Sequence, residues 1–263
     1  MRGIVAIAVS MAAMLYAHAE GSTTCVKPET AVDWTVPRTF EDSCGRTLLY
    51  RWMEPAKVEA GKTYPLVVLL HGAGERGTNN VSQLQWGATP VIAYMRAKGI
   101  DGYFIAGQVP NGKFWVDTPW NIMSHRMNET PSETMALLLA LVDKTIAELP
   151  VDRSRVYVTG VSMGGFGTWD MIQRRPELFA AAMPICGGGD THLAWKIRDI
   201  PIWAWHGGKD DVVWPSRSRE MVAALWAVDG RVRYTEVPDC GHGVWNPAYA
   251  SEEALKWLFD QHR

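Results

Sequence analysis

The chain has 263 residues, a length that fits one large α/β domain or two small ones. Its hydrophobic content of 47% and charged content of 21% are ordinary for a globular protein with a sizeable core. The formal net charge is −2 and no basic block interrupts the sequence, which argues against nucleic acid as a partner. The 13 tryptophans are unusual, and so many large amphipathic rings suggest that several of them line a cleft.

The first 19 residues have the pattern of a secretory signal peptide. Arg2 supplies a positive charge, residues 4–16 form an apolar run, and Ala17-His18-Ala19 is a small-x-small cleavage site. The run is too short for a comfortable membrane span, and no second run is long enough to span a bilayer. A buried N-terminal helix is the alternative interpretation. The sequence therefore predicts export to the periplasm or the medium.

Export would bring the four cysteines into an oxidising compartment. We expect the disulfides Cys25–Cys44 and Cys186–Cys240, since each pair joins segments predicted to be neighbours. Free buried thiols are the alternative. None of the four has the spacing of a metal ligand, so no zinc site is expected.

Short apolar runs alternate with helical patterns from about residue 35 onward. The predicted strands are two antiparallel edge strands (38–42 and 47–53), a continuous apolar run (64–72), and the segments 103–110, 156–160, 179–190, 200–211 and 232–242. The predicted helices are 81–98, 131–149 with Ser132 as its cap, the segment after Ser162, 218–228, and 251–263 with Ser251 as its cap.

This alternation implies right-handed crossovers and a mostly parallel sheet with helices on both faces. We see no internal repeat, low-complexity tract or interdomain linker. The sequence predicts a single α/β domain over residues 20–263. In such a sheet, functional residues gather where strands end and loops begin.

The stretch "VYVTGVSMGGFGTW" places a serine between glycines where a buried strand becomes a helix. It contains the pattern G-x-S-x-G from Gly160 to Gly164. Glycine at both flanks removes the Cβ atoms that would clash across a sharp turn, which leaves the Ser162 hydroxyl exposed. The backbone amide of Met163, at a helix start, can then donate to an oxyanion. A structural turn that happens to contain a serine is the alternative.

A serine hydroxyl needs a base and a group that orients the base. If the chain order is serine, acid, histidine, the candidate bases are His192, His206, His242 and His262. We favour His242, which lies after the last strand between two glycines. His262 is poorly placed in a terminal helix, and His206 suits a structural role in its turn.

The acid should come from the strand between nucleophile and base. "WAWHGGKDDVVWP" offers Asp210 and Asp211 just past the strand end, and we favour Asp210. Asp239 is too close in sequence to His242 to orient it easily.

The early turn "LLHGAGERG" can provide a second oxyanion donor, the backbone amide of Ala73. A flexible glycine loop is the alternative. We expect Glu75 and Arg76 to form a local ion pair that shapes this turn, without a catalytic role.

These four motifs, "LLHGAGERG", "GVSMGGFGTW", "WHGGKDDVV" and "GHGVW", resemble the motif series of α/β-hydrolases. In particular the chain is similar to secreted bacterial feruloyl and acetyl-xylan esterases, to polyhydroxybutyrate depolymerase-like proteins, and to the phospholipase/carboxylesterase group. The similarity runs from about Leu66 to the C-terminus. It implies an eight-stranded α/β-hydrolase fold with Ser162 as nucleophile, His242 as base and Asp210 as acid. In related sequences a proline often follows this aspartate, whereas here Asp211 does.

The sequence identifies the substrate-binding residues less specifically than it identifies the catalytic residues. The short segment after the sixth strand leaves no room for a large helical lid. Aromatic residues follow several strand ends, and flat indoles there could stack on sugars or an aromatic acyl group. The candidate substrate-binding residues are Gln108, Trp115, Trp120 and Trp245, and loop packing is the alternative role of the rings.

The sequence therefore predicts a secreted serine carboxylic-ester hydrolase that acts on soluble or polysaccharide-linked esters. The mechanism needs only side chains and water, so no cofactor or metal is implied. A prolyl oligopeptidase-like serine peptidase is the second hypothesis, and a non-catalytic binding protein on the same scaffold is the third. The oligomeric state is left open.

Overall fold

The structure of the protein is a computed structural model that describes residues 28–263. One eight-stranded sheet forms its centre, with strand order β1-β2-β4-β3-β5-β6-β7-β8. The strands are β1 (Val36–Glu41), β2 (Thr47–Met53), β3 (Tyr64–Leu70), β4 (Tyr103–Gln108), β5 (Val151–Val161), β6 (Ala181–Ile185), β7 (Ile202–Gly207) and β8 (Val232–Val237). The pairs β1–β2 and β2–β4 are antiparallel, and all other neighbours run parallel.

The central strands explain why the sequence forms a covered sheet. All seven residues of β3 and all six of β4 are buried, as expected of parallel strands with helices on both faces. The helices are α1 (Ala31–Trp34), α2 (Ala88–Ala97), α3 (Glu133–Glu148), α4 (Met163–Arg174), α5 (Ser216–Trp226), α6 (Trp245–Ala250) and α7 (Glu252–Phe259). Short 3₁₀ helices cover Ala73–Glu75, Ser82–Leu84 and Thr191–Ile197.

The two faces of the sheet carry separate apolar cores. Helices α3, α4 and α5 bury residues such as Leu138, Trp169 and Met221 against one face. Helices α2, α6 and α7 bury residues such as Ile92 and Leu258 against the other. The predicted mostly parallel eight-stranded sheet with helices on both faces is confirmed.

The helix predicted over residues 81–98 is shorter than expected. A 3₁₀ turn covers Ser82–Leu84, and α2 begins only at Ala88. Gly87 separates the two with φ of 82°, a left-handed conformation that interrupts a helix. The predicted caps Ser132 and Ser251 are confirmed, since each hydroxyl accepts a hydrogen bond from the amide three residues later.

Strand direction decides where the predicted site residues meet. Strands β3, β5, β7 and β8 run parallel, so their carboxyl ends share one edge of the sheet. The segments that follow them contain Ala73, Ser162, Asp210 and His242 respectively. None of the helices between residues 28 and 263 combines the length and apolar character needed to cross a bilayer.

Candidate active site

Ser162 stands at the junction of β5 and α4 in a strained backbone conformation. Its φ is 54° and its ψ is −117°, a region that residues with a side chain rarely adopt. The strain turns the chain sharply, and the hydroxyl projects at the carboxyl edge of the sheet. Backbone strain of this kind costs about 1–3 kcal/mol and clusters at functional sites, which makes Ser162 a candidate functional residue.

The glycines after Ser162 allow α4 to lie directly against the sheet. A Cβ on Gly164 would lie 2.0 Å from the backbone oxygen of Leu70 on β3. A Cβ on Gly165 would lie 2.2 Å from the backbone oxygen of Ile185 on β6. Both distances are far inside van der Waals contact, so only glycine fits at either position without a backbone shift.

We expect Gly164→Ala to reduce the free energy of unfolding by about 1–3 kcal/mol or more, because the added methyl overpacks a backbone contact. Urea unfolding followed by circular dichroism measures the change. Gly74→Ala is the matched control, since a Cβ there meets nothing within 4 Å. The control should stay within about 0.5 kcal/mol of wild type. Equal losses in the two variants would contradict the close-approach explanation.

The three predicted triad residues form one hydrogen-bonded chain. His242 Nε2 lies 2.9 Å from Ser162 Oγ, and His242 Nδ1 lies 2.8 Å from Asp210 Oδ2. Since Asp210 Oδ2 is an acceptor, the geometry assigns the proton to Nδ1 and leaves Nε2 free to accept from the hydroxyl. The arrangement can take a proton from Ser162 and hold the resulting imidazolium beside a carboxylate.

Asp210 is buried and held by several donors. Its Oδ1 accepts hydrogen bonds from the backbone amides of Val212 and Val213, each at 3.0 Å. Burial alone would raise the pKa of Asp210, but hydrogen bonds from His206, His242 and the Val213 amide hold that pKa well below its usual range. The carboxyl is therefore ionised at neutral pH. Asp211, the second candidate acid, is exposed.

His206 contacts the acid from the other side. Its Nε2 lies 2.8 Å from the backbone oxygen of Val213 and 3.3 Å from Asp210 Oδ2, so Nε2 carries the proton. Its Nδ1 lies 2.7 Å from Ser218 Oγ on α5. The sequence interpretation of His206 as a structural residue of its turn agrees with this fully buried position. No pattern in the sequence predicts its contact with Asp210.

The turn after β3 lies directly beside the serine. An ideal Cβ on Gly72 would lie 3.6 Å from Ser162 Cβ, so the backbone of this turn borders the nucleophile. Ala73 begins the 3₁₀ helix that follows, and Met163 begins α4. The first amides of a helix have no partner within the helix, which suits the Met163 amide to an oxyanion.

The expected ion pair between Glu75 and Arg76 does not form. Arg76 Nε donates to the backbone oxygen of Ala73 at 2.8 Å, and its guanidinium lies 5.2 Å from the centre of the Phe114 ring. Glu75 turns the other way and accepts a hydrogen bond from Trp86. The two side chains diverge because each has a partner on a different loop.

Two of the four predicted substrate-binding residues, Gln108 and Trp115, are buried. Gln108 donates to the Glu75 backbone oxygen and to Asn79 Oδ1, and it accepts from the Asn80 amide, so both ends of its amide are occupied. Trp115 has no exposed surface and donates to the backbone oxygen of His71 at 3.1 Å. Both residues therefore stabilise the backbone of the turn after β3 by hydrogen bonds.

The other two predicted residues are partly exposed. Trp120 is half-buried, packs against Phe114 with ring centres 5.7 Å apart, and lines a pocket of about 520 Å³. Trp245 is half-buried and packs edge-on against the His242 ring, 5.2 Å away. An apolar pocket of this size suits a small ligand.

These features agree with the comparison of the sequence with known families. Residues 55–251 match the family described as phospholipase/carboxylesterase. The chain belongs to the phospholipase/carboxylesterase family. The match spans the segments that contain Ala73, Ser162, Asp210 and His242, and the relatives described next confirm the predicted α/β-hydrolase resemblance.

A crystal structure of a thermostable esterase superimposes with a TM-score of 0.79 at 38% identity, covering 89% of this chain and 64% of that one. Poly(3-hydroxyalkanoate) depolymerase C of Paucimonas lemoignei is 30% identical over 42% of this chain and 34% of its own length. A bifunctional acetylxylan esterase/xylanase of Neocallimastix patriciarum is 28% identical over 57% of this chain and 20% of its own length. This member of the phospholipase/carboxylesterase family thus matches about a third or less of each curated relative.

The predicted Cys186–Cys240 disulfide is not formed. Both thiols are free, with Cys186 buried and Cys240 partly buried. The strand β7 lies between β6 and β8, which precede these cysteines, and Cys186 Sγ instead lies 3.8 Å from the backbone oxygen of His242. Cys44 is exposed, and Cys25 lies outside the described residues, so the Cys25–Cys44 pair stays a prediction.

One group of side chains within residues 28–263 has the donor types of a metal site. Cys186 Sγ, an Asp210 carboxylate oxygen and a His242 ring nitrogen lie within 4.8 Å of one another. Thiol, carboxylate and imidazole are all zinc ligands. Here, however, Asp210 and His242 already bond to each other, so a metal ion would have to displace that hydrogen bond.

Arg217 is a buried residue that no sequence motif marks. It is buried on α5, donates from Nη1 to the backbone oxygen of Met123 at 2.6 Å, and contacts His125 Nδ1. Its guanidinium also lies 5.4 Å from the centre of the Phe166 ring on α4. Arg217 thereby fixes the long loop before α3 next to the helix that begins at Ser162. A lone arginine in an amphipathic helix carries no mark of such a role.

Proposed function

We propose that this chain is a serine carboxylic-ester hydrolase with Ser162 as nucleophile, His242 as general base and Asp210 as the orienting acid. The observation that carries the proposal is the continuous hydrogen-bonded chain from Ser162 Oγ through His242 to Asp210, at 2.9 and 2.8 Å. Hydrogen-bond contact of this kind between nucleophile, base and orienting group is the signature of an activated serine. Family membership points to the same chemistry.

The geometry supports a two-step reaction. Ser162 Oγ attacks the ester carbonyl while its proton moves to His242 Nε2, and the carbonyl oxygen becomes an oxyanion beside the amides of Met163 and Ala73. The tetrahedral intermediate collapses, and His242 passes its proton to the departing alcohol. Water then gives a proton to His242 and attacks the acyl-enzyme. The second tetrahedral intermediate collapses, its bond to Ser162 Oγ breaks to release the acid, and His242 returns the proton to Ser162 Oγ.

We propose soluble or polysaccharide-linked esters with acetyl, feruloyl or other short acyl groups as substrates. The Trp245 ring beside His242 supports this choice, because an aromatic wall suits a flat acyl group or a sugar ring. The acetylxylan esterase named among the relatives supports it as well.

A substrate panel tests the proposal. The purified protein is assayed with p-nitrophenyl acetate, butyrate and laurate, methyl ferulate, acetylated xylan and an aminoacyl-arylamide, and a fluorophosphonate adduct is mapped by mass spectrometry. We expect turnover of the short or feruloyl esters and an adduct on Ser162. Cleavage of the arylamide in preference to the esters would favour the peptidase hypothesis. No turnover and no adduct would leave only the binding-protein hypothesis.

We further propose that the protein is exported and cleaved after Ala19. The proposal rests on the sequence of residues 1–19, which lie outside the described residues. N-terminal sequencing of the protein secreted from its own host should begin at Glu20. A mature protein that begins at Met1 would contradict export by this signal.

A further inference from the structure

Glu75 is a buried carboxyl group that has no cationic partner among residues 28–263. It ends the 3₁₀ helix Ala73–Glu75 and is 5% exposed. Among residues 28–263 no lysine, arginine or histidine forms an ion pair with it, and burial raises the pKa of Glu75 although the Trp86 hydrogen bond opposes that rise. Burying a carboxyl without a cationic partner costs free energy, and a role in the neighbouring candidate active site would explain why Glu75 is buried here.

One oxygen of the Glu75 carboxyl, Oε2, lies near the backbone of Gly72, which borders Ser162. An ideal Cβ on Gly72 would lie 2.9 Å from Glu75 Oε2 and 3.6 Å from Ser162 Cβ, so both atoms border the same small space. The Glu75 backbone is fixed as well, since Gln108 Nε2 donates to its oxygen at 3.1 Å. Movement of Glu75 would therefore move the turn that contains the Ala73 amide.

The other oxygen of the Glu75 carboxyl, Oε1, is connected to His242 by contacts through the indole rings of Trp86 and Trp245. Glu75 Oε1 accepts a hydrogen bond from Trp86 Nε1 at 3.0 Å. The Trp86 ring packs against Trp245 with centres 5.5 Å apart, and Trp245 packs edge-on against His242 at 5.2 Å. This series of contacts connects the turn after β3 to the ring of the proposed base.

We infer that Glu75 is a positioning residue: it aligns the turn that presents the Ala73 amide with the imidazole of His242, acting through Trp86 and Trp245. The inference rests on the proposed function, because it assumes that Ser162 and His242 perform chemistry. Glu75 itself acts through its acceptor oxygens and takes no part in proton transfer. What it contributes is the relative placement of the oxyanion donor and the base.

Removal of this carboxyl should lower the rate of chemistry more than substrate binding. We expect Glu75→Ala to reduce kcat for p-nitrophenyl acetate roughly 10- to 100-fold with little change in KM, since small displacements of reacting groups cost about this much. The second-order rate of fluorophosphonate labelling should fall by a similar factor. Glu75→Gln keeps an acceptor oxygen for Trp86 and should stay within about threefold of wild type, a rescue that separates hydrogen bonding from charge.

A double-mutant cycle tests the connection through Trp86. Trp86→Phe keeps an aromatic ring and removes the indole donor, so it should lower kcat on its own. Combined with Glu75→Ala it should add little, because both changes break the same link. The matched control is Glu54→Ala, which removes a similar bond from Trp52 Nε1 to Glu54 Oε2 at 3.2 Å. Met53 pairs with Phe104 at the start of β4, so Glu54 lies at the opposite edge of the sheet, and its loss should leave kcat unchanged.

The outcomes are distinct. Wild type that neither turns over the ester nor labels would refute the proposed function, and this inference with it. Active wild type with a Glu75→Ala variant that folds and retains full kcat would overturn the inference alone. A Glu75→Gln variant whose kcat is as low as that of Glu75→Ala would also overturn the inference. Strictly additive effects of Glu75→Ala and Trp86→Phe on kcat would do the same. A Glu75→Ala variant that fails to fold leaves the Gln variant and Trp86→Phe to decide by the same criteria.

Discussion

Ser162→Ala is expected to lower kcat for ester hydrolysis by about a millionfold, since removal of a catalytic serine abolishes the covalent route. The change deletes one oxygen atom and leaves the amides of Met163 and Ala73 in place. A residual rate above the uncatalysed reaction should therefore remain, from binding and oxyanion stabilisation alone. Single-turnover assays with p-nitrophenyl acetate at high protein concentration measure it.

The same substitution should cost little stability. Alanine keeps the strained φ of 54° and loses only the hydrogen bond with His242 Nε2. Ser162→Gly is free of that strain. It should be as inactive as Ser162→Ala and more stable than that variant by about 1–3 kcal/mol. Urea unfolding of the three proteins measures both effects. Strain that serves catalysis predicts this opposition between activity and stability.

A Ser162→Ala variant with more than about one hundredth of wild-type kcat would contradict the nucleophile assignment, because the expected loss is far larger. In that case the positive φ at this position would need another explanation. Fluorophosphonate labelling of the variant gives an independent check, since no adduct should form at position 162.

The sheet could be predicted from the sequence because its strands are continuous apolar runs. Strand β3 is buried along its whole length. A short, continuous apolar run between helical segments is typical of a parallel strand that helices cover on both faces. Parallel strand direction then placed the segments after β5, β7 and β8 at one edge. The proximity of Ser162, Asp210 and His242 follows from this topology and from the glycines that open their loops.

The orientation of loop side chains could not be predicted. Trp115 is a predicted substrate-binding residue, yet it is buried, and its indole nitrogen donates to the backbone oxygen of His71, 44 residues away in the sequence. The loop between β4 and α3 has no periodicity from which an inward or outward direction could be read. Gln108 is the last residue of β4, and its side chain is held by Asn79 and Asn80 from a different loop, contacts that no local pattern in the sequence predicts.

The aromatic contacts around the base were hidden for a related reason. Trp86 lies between a 3₁₀ turn and α2, in a segment predicted to be one continuous helix. The left-handed Gly87 breaks this segment directly after Trp86, and the Trp86 ring packs against Trp245 on α6. A single local conformation thus decides a contact that connects two distant parts of the site.

Asp210→Asn is expected to lower kcat about 10,000-fold, whereas Asp211→Asn should stay within about twofold of wild type. An asparagine amide group that faces His242 Nδ1 favours the tautomer with the proton on Nε2, which can no longer accept the proton of Ser162. Asp211 is exposed and serves as the control at the neighbouring position. Comparison of kcat/KM for the two variants settles which aspartate orients the base.

The same pair of variants should differ in the pH dependence of stability. The folded-state pKa of Asp210 is depressed, so its carboxylate stabilises the fold above the unfolded-state pKa of about 4. That contribution is lost as the pH falls through the depressed folded-state pKa. The difference in the free energy of unfolding between wild type and Asp210→Asn should therefore shrink as the pH falls below about 4. A difference that is absent for Asp210→Asn and present for Asp211→Asn would transfer the role of the acid to Asp211.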